Sequence, residues 1–109
     1  MIRDASEADV LRAVRQYLDL RGAVYVRNNT GMLFDRTGRP VRFGREGSAD
    51  LIVCGPGGRF VSCEVKGRDG KLTPAQQAWA LAVLAAGGAA LTVRSVEELI
   101  HELSRLEGA

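Results

Sequence analysis

The stretch that most constrains this chain is ADLIVCGPGGRFVSCEVK, residues 49–66. Two β-rich runs flank a Gly-Pro-Gly-Gly turn, which predicts an antiparallel hairpin. Glycine accepts the unusual dihedrals of such turns, and proline pre-sets one of them. The first run, Leu51 to Cys54, is almost wholly apolar, as a central strand should be. The second alternates, so that Val61, Cys63 and Val65 face one way and Ser62, Glu64 and Lys66 the other. Asp50 starts the first run, and the turn brings that strand back against Glu64. Two carboxylates and an ammonium are thereby expected at one end of one hairpin.

The rest of the chain supplies a frame for that hairpin. Residues 5–20 read as an amphipathic helix with Val10, Leu11, Val14 and Leu18 at helical spacing. Asp4 or Ser6 is available as its cap, and Gly22 ends it. Residues 23–27 (AVYVR) suit a short strand. Residues 28–48 mix Gly, Asn, Pro and Arg with scattered apolar positions and read as a long loop with room for a loose hairpin. Downstream, Thr73 caps a helix with Pro74 at its first position, and Gly87-Gly88 stops it. Residues 89–93 form a further strand. Ser95 and Glu98 make a capping box for a last helix whose inner face is Val96, Leu99, Ile100 and Leu103. The expected order is α-β-β-β-α-β-α, an α/β fold with a mixed sheet flanked by helices, in one domain over residues 1–109.

Composition removes several classes. With 46% apolar and 26% charged residues, the chain is neither disordered nor fibrous. No apolar run approaches the ~20 residues a membrane helix needs, and the start MIRDASEADV lacks an apolar signal core. Cys54 and Cys63 match no zinc spacing and read as buried thiols of a cytoplasmic protein. No glycine run ends in Lys-Ser/Thr, which argues against a nucleotide cofactor. The one histidine, His101, falls on the last helix away from the other candidates, so a Ser-His-Asp or Cys-His mechanism has little support. Trp79 reads as helix packing rather than a base-stacking platform.

Glu64 and Lys66, two apart on a strand, share a face; alone they are consistent with an ordinary ion pair on a solvated sheet. Asp50 changes the weighing, because two carboxylates on neighbouring strands can share a hard cation such as Mg²⁺ or Mn²⁺. The backbone carbonyl of Val65, expected to point away from its own side chain, offers another oxygen. Lys66 then stands where it can offset developing negative charge. Glu7 falls on the first helix's apolar stripe and is either a third acid turned inward or part of an Asp4-x-x-Glu7 capping box. Gln76 is either the third residue of the Thr73 capping box or a contact to phosphate or water, and Gln77 is its nearest competitor. Of fifteen basic residues thirteen are arginines, and Arg27, Arg36, Arg39, Arg42 and Arg45 crowd one segment. Guanidinium groups bind phosphate bidentately, so these are candidate nucleic-acid contacts, although a solvated polar loop explains the cluster equally well.

Taken together, Glu7, the Gly-Ser-x-Asp segment (Gly47, Ser48, Asp50), Glu64-x-Lys66, the Leu-Thr-Pro-x-Gln helix start ending in Gln76 and the Gly87-Gly88 turn resemble the VRR-NUC domain. This is the virus-type replication-repair nuclease branch of the PD-(D/E)XK superfamily. Ala49 stands where the superfamily name has proline. The resemblance implies a restriction-endonuclease-like core and divalent-metal hydrolysis of DNA phosphodiesters. Asp50 and Glu64 would be metal ligands, Lys66 the catalytic lysine, Glu7 an auxiliary acid and Gln76 a supporting group. Stand-alone phage and bacterial members are similar to Holliday-junction resolvases, which implies branched DNA as substrate and a homodimer. The first helix and residues 28–48 are the candidate interface. Nicking or flap-cutting repair nucleases, and a non-catalytic DNA-binding module of the same fold, are the alternatives.

Overall fold

Val10, Val14 and Leu18 follow one another at four-residue spacing and are all buried along one side of helix α1 (Glu7–Leu20). The computed structural model describes residues 5–108. Ser6 caps α1 reciprocally: its hydroxyl accepts from the Asp9 N–H at 3.1 Å, and the Asp9 carboxylate accepts from the Ser6 N–H at 3.2 Å. The box is therefore Ser6–Asp9 and not Asp4–Glu7, and Asp4 lies outside the described residues.

Six strands and two further helices follow: β1 (Tyr25–Arg27), β2 (Gly31–Phe34), β3 (Pro40–Phe43), β4 (Leu51–Cys54), β5 (Phe60–Val65), α2 (Pro74–Ala85), β6 (Ala89–Val93) and α3 (Val96–Glu107). Four strands form a mixed sheet in the order β1-β4-β5-β6. β4 pairs antiparallel with β1 and with β5, the latter with Leu51 opposite Cys63. β6 runs parallel to β5, with Val65 opposite Val93, because α2 carries the chain back across the sheet. The mixed α/β sheet with three helices agrees with the expected architecture. The loose hairpin that residues 28–48 had room for is present as β2 and β3, a separate two-stranded ribbon whose eight residues are all exposed.

The alternation in β5 sorts the layers. Val61, Cys63 and Val65 join Val10, Val14, Leu18, Leu99 and Leu103 in the core, so α1 and α3 cover that face. Ser62, Glu64 and Lys66 are buried as well, at 2%, 8% and 9% exposure, because α2 and its preceding loop lie over the second face. The polar face of the hairpin is thus interior. Helix α2 ends in a Schellman motif: the Gly88 N–H bonds the Val83 carbonyl and the Gly87 N–H that of Leu84, both at 3.0 Å. Gly87 adopts φ +94°, which its missing Cβ permits.

Three local expectations are corrected. Cys54 is exposed, not buried, since it is the last residue of β4 and lies beyond the helices. Ile100 is 38% exposed, leaving Leu99 and Leu103 as the buried residues of α3. Ser95 does cap α3, but Glu98 accepts from the Arg94 N–H rather than from Ser95, so the box is one-sided. His101 is exposed as expected. Among the described residues no helix is long and apolar enough to cross a membrane.

Candidate active site

Asp50 sits immediately before β4, and its backbone carbonyl accepts from the Asn28 N–H at 2.8 Å, which prolongs the β1–β4 ladder. Its carboxylate Oδ2 accepts from the Val65 N–H at 2.7 Å. That bond ties the acid of one strand to the backbone between Glu64 and Lys66 on the other. The next amide, Lys66 N–H, turns the opposite way and donates to the Val93 carbonyl at 3.0 Å on β6. In a strand a residue's N–H and C=O project to the same side, so the Val65 carbonyl lies in the sheet plane on the Asp50 side. It does not point along the face, as the sequence led one to expect, but it reaches the same neighbourhood.

Glu64 is held from above. The Gln76 side-chain Nε2 donates to Glu64 Oε1 at 3.4 Å, while Gln76 Oε1 accepts from the Thr73 N–H at 2.9 Å. One glutamine therefore serves both as cap and as site contact, because the start of α2 lies directly over β5. Gln77, its competitor, points to the Leu72 carbonyl and is exposed. Lys66 Nζ stands 4.0 Å from Glu64 Oε1, too long for a direct hydrogen bond. The second carboxylate oxygen, Glu64 Oε2, is buried and no N–H or hydroxyl donor reaches it, while the Glu64 carboxyl in its protonated form bonds Asp50. A buried carboxylate oxygen left unpaired is costly, so this atom is suited to a ligand.

The electrostatics agree with the geometry. Burial pushes the Glu64 carboxyl up to about 8; the hydrogen bond and charge of Asp50 add to the rise, the Lys66 charge opposes it, and Glu7 contributes a little. Burial, with the negative charges of Asp50 and Glu64, pushes the Cys63 thiol up to about 12, which leaves it inert. Oxygen donors from Asp50, Glu64 and the Val65 carbonyl, with one carboxylate oxygen reached by no N–H or hydroxyl, fit a hard divalent cation. Among the described residues no group of three His, Cys, Asp or Glu side chains gathers, so any such ion would depend on backbone, water or substrate for its remaining ligands.

Asp50 and Glu64 floor an open cleft of about 650 Å³ between the β1–β4 loops and the start of α2, with Arg27, Asn28, Ser48 and Gln76 in its walls. The segment leading to Asp50 is positioned by close packing. Gly47 has φ +84°, and a Cβ there would meet the Ala75 carbonyl oxygen at 2.3 Å. Asn28 clamps the same segment, its amide donating to Ser48 Oγ at 2.7 Å and to the Ala49 carbonyl at 2.9 Å. On the far side of Lys66, Arg94 donates to the Gly70 carbonyl at 2.7 Å and holds the loop that packs on the lysine stem.

Asp50, Glu64, Lys66, the Val65 backbone and Gln76 thus come together. Glu7 stands at their edge: it is exposed at the first turn of α1, with its backbone beside Gly67 and its charge felt by Glu64, because the buried stripe begins only at Val10. The arginines divide. Arg27 lines the cleft. Arg36 and Arg39 lie at the turn end of the β2–β3 ribbon, and Arg42 is on β3. Arg45 stacks over the Trp79 ring at 5.4 Å, while the indole N–H donates to Ser62 Oγ at 2.8 Å. Trp79 is therefore a bridge between sheet and loop rather than pure core. Asn28 and Arg94 carry no local sequence signal, since their roles are long-range bonds to loops distant in the chain. No protein-family model matches the chain, and neither does any curated protein.

Proposed function

We propose that this protein is a divalent-metal-dependent DNA endonuclease with a PD-(D/E)XK core of the VRR-NUC kind. One observation carries the reading: half-buried Asp50 and buried Glu64, whose Oε2 no N–H or hydroxyl donor reaches, form a carboxylate pair on the floor of an open cleft, beside buried Lys66. Mg²⁺ or Mn²⁺ bound there would lower the pKa of a water and offset charge on the phosphate. Asp50 and Glu64 would hold the ion with the Val65 carbonyl. Asp50 is fixed by the Val65 N–H, and Glu64 is oriented by Gln76. Lys66 presents its ammonium to the attacked phosphate and stabilises the charge that builds there. Arg27 at the cleft wall grips the DNA backbone, with sequence-independent and salt-sensitive affinity. Glu7, close enough to be felt by Glu64, assists from the edge.

The favoured substrate is branched DNA, cut in the manner of a Holliday-junction resolvase by a homodimer in a bacterial or phage-infected cytoplasm. Two sites related by a two-fold axis suit two strands of a four-way junction. The test is cleavage of labelled four-way junction, splayed fork and linear duplex with Mg²⁺, Mn²⁺ or EDTA, beside Lys66→Ala and Asp50→Asn. Metal-dependent junction cutting, lost in both variants, is expected. Cutting of forks or duplex instead would keep the chemistry and make it a nicking or flap nuclease. Absence of cutting by a folded protein would make it a DNA-binding module.

A further inference from the structure

A second cavity, also of about 650 Å³, runs along the outer side of α1 beside β1. Its walls include Leu11, Arg12, Arg15, Gln16, Asp19 and Arg27. Arg12, Arg15 and Asp19 recur at three- and four-residue spacing and so share one helix face, next to the buried stripe of Val10, Val14 and Leu18. The charge is unbalanced, with three guanidinium groups against the one carboxylate of Asp19. That carboxylate already accepts from the Tyr25 hydroxyl at 2.7 Å. Arg12 is 76% exposed and touches Asp9 at 3.3 Å.

Arg15 is the unusual member. Its Nε is buried without a hydrogen-bond partner. A buried donor on a permanently charged group is costly to leave unpaired, so the Arg15 guanidinium gains by swinging its Nε edge towards an oxyanion in the groove, with which that edge pairs bidentately. The location adds a second argument. Arg27 lines both this groove and the carboxylate cleft, so the two cavities meet at one side chain.

We propose that the α1–β1 groove is a second phosphate-binding site. In it Arg15, flanked by Arg12 and Arg27, grips a phosphate of the same nucleic-acid strand whose neighbouring phosphate lies over Asp50 and Glu64. The identity of the strand rests on the nuclease reading; the anion chemistry of the groove does not.

The experiment is fluorescence anisotropy of labelled single-stranded and duplex DNA with the full chain in EDTA, over a salt series, so that binding is read without cutting. Oligonucleotides with a 5′-phosphate and with a 5′-hydroxyl distinguish a terminal from an internal phosphate as the bound group. Arg15→Gln is expected to weaken binding about tenfold and to reduce the salt slope by about one. Arg15→Lys is expected to keep the slope but not the affinity, because an ammonium lacks the fork. Arg105→Gln, on α3 and paired with Glu102, serves as the control and should change neither. Parental affinity and slope in Arg15→Gln would overturn the proposal, as would a loss no larger than in the control. Should Arg15→Gln fail to fold by circular dichroism, Arg12→Gln decides in its place, since that side chain is exposed and can be changed without disturbing the core. Metal-dependent cutting with unchanged Arg15→Gln binding would sink the groove and leave the nuclease. Arg15-dependent binding without any cutting would do the reverse.

Discussion

At the scale of single residues, Glu64 is the strained position. Its folded-state pKa lies above the ordinary 4.5, so the folded protein holds a proton that the unfolded chain has released. Between pH 4.5 and about 8 this group therefore loses stability as pH rises. Glu64→Gln is expected to melt higher than the parent in EDTA, by a few degrees at pH 9 and not at all at pH 4. The variant should also lose any Mg²⁺-induced rise in melting temperature. Thermal denaturation across pH checks both; a variant that melts lower at pH 9 would show that Glu64 is satisfied as an ion. The two cysteines form a second contrast. Cys54 is expected to react with a thiol reagent in the native protein, and Cys63 only after unfolding, which thiol counting before and after denaturant would show. The alternation of β5 was legible in the sequence. What covers its polar side was not, because the covering helix reaches it through long-range contacts such as those of Gln76 and Trp79.

At the scale of elements, the helices are held by their stripes and the site by its loops. Leu18→Ala in α1, at a fully buried position, is expected to cost about 2–5 kcal/mol in a denaturant titration. Gly47→Ala tests the loop before β4. It forces a Cβ into the Ala75 carbonyl at positive φ, so a loss of about 1–3 kcal/mol and a weakened metal response are expected together. A Gly47→Ala protein with parental stability and metal binding would show that the loop is not what places Asp50. The caps of α2 and α3 and the turn after β4 were readable because each is local chemistry over a few residues. For α1 the sequence left Asp4 and Ser6 both open as caps, and the structure chooses Ser6 with Asp9 as its box partner.

The whole molecule is less compact than its length suggests. Its radius of gyration is 15.1 Å, against about 13 Å for a compact chain of this size. The β2–β3 ribbon is a sheet of its own, apart from the four-stranded one: paired Leu33 and Val41, with Phe43, form an apolar face that stays exposed. A lone two-stranded ribbon is marginal in water, so this face is the part of the molecule most in need of a partner. Replacing residues 32–42 by a short turn is expected to leave the melting temperature near the parent's. If the proposed homodimer forms through this face, light scattering after gel filtration is expected to show the parent as a dimer and the shortened protein as a monomer. A parent that is already monomeric would remove the dimer from the functional reading without touching the cleft.

Sequence alone determined what rests on short-range chemistry: the order of the main elements, the hairpin carrying Asp50, Glu64 and Lys66, the caps, and the α/β class. Side-chain alternation and turn residues act over a few positions and leave a local trace. Tertiary structure decided that the polar face of β5 is buried, that no N–H or hydroxyl donor reaches Glu64 Oε2, and that Asn28 and Arg94 clamp the loops. It also decided that Glu7 stays exposed at the edge while Arg15, its Nε buried and unpaired, lines a groove that shares Arg27 with the cleft. Each of these depends on which distant segment is laid over a residue, and close packing of the layers settles that only once the whole chain is folded.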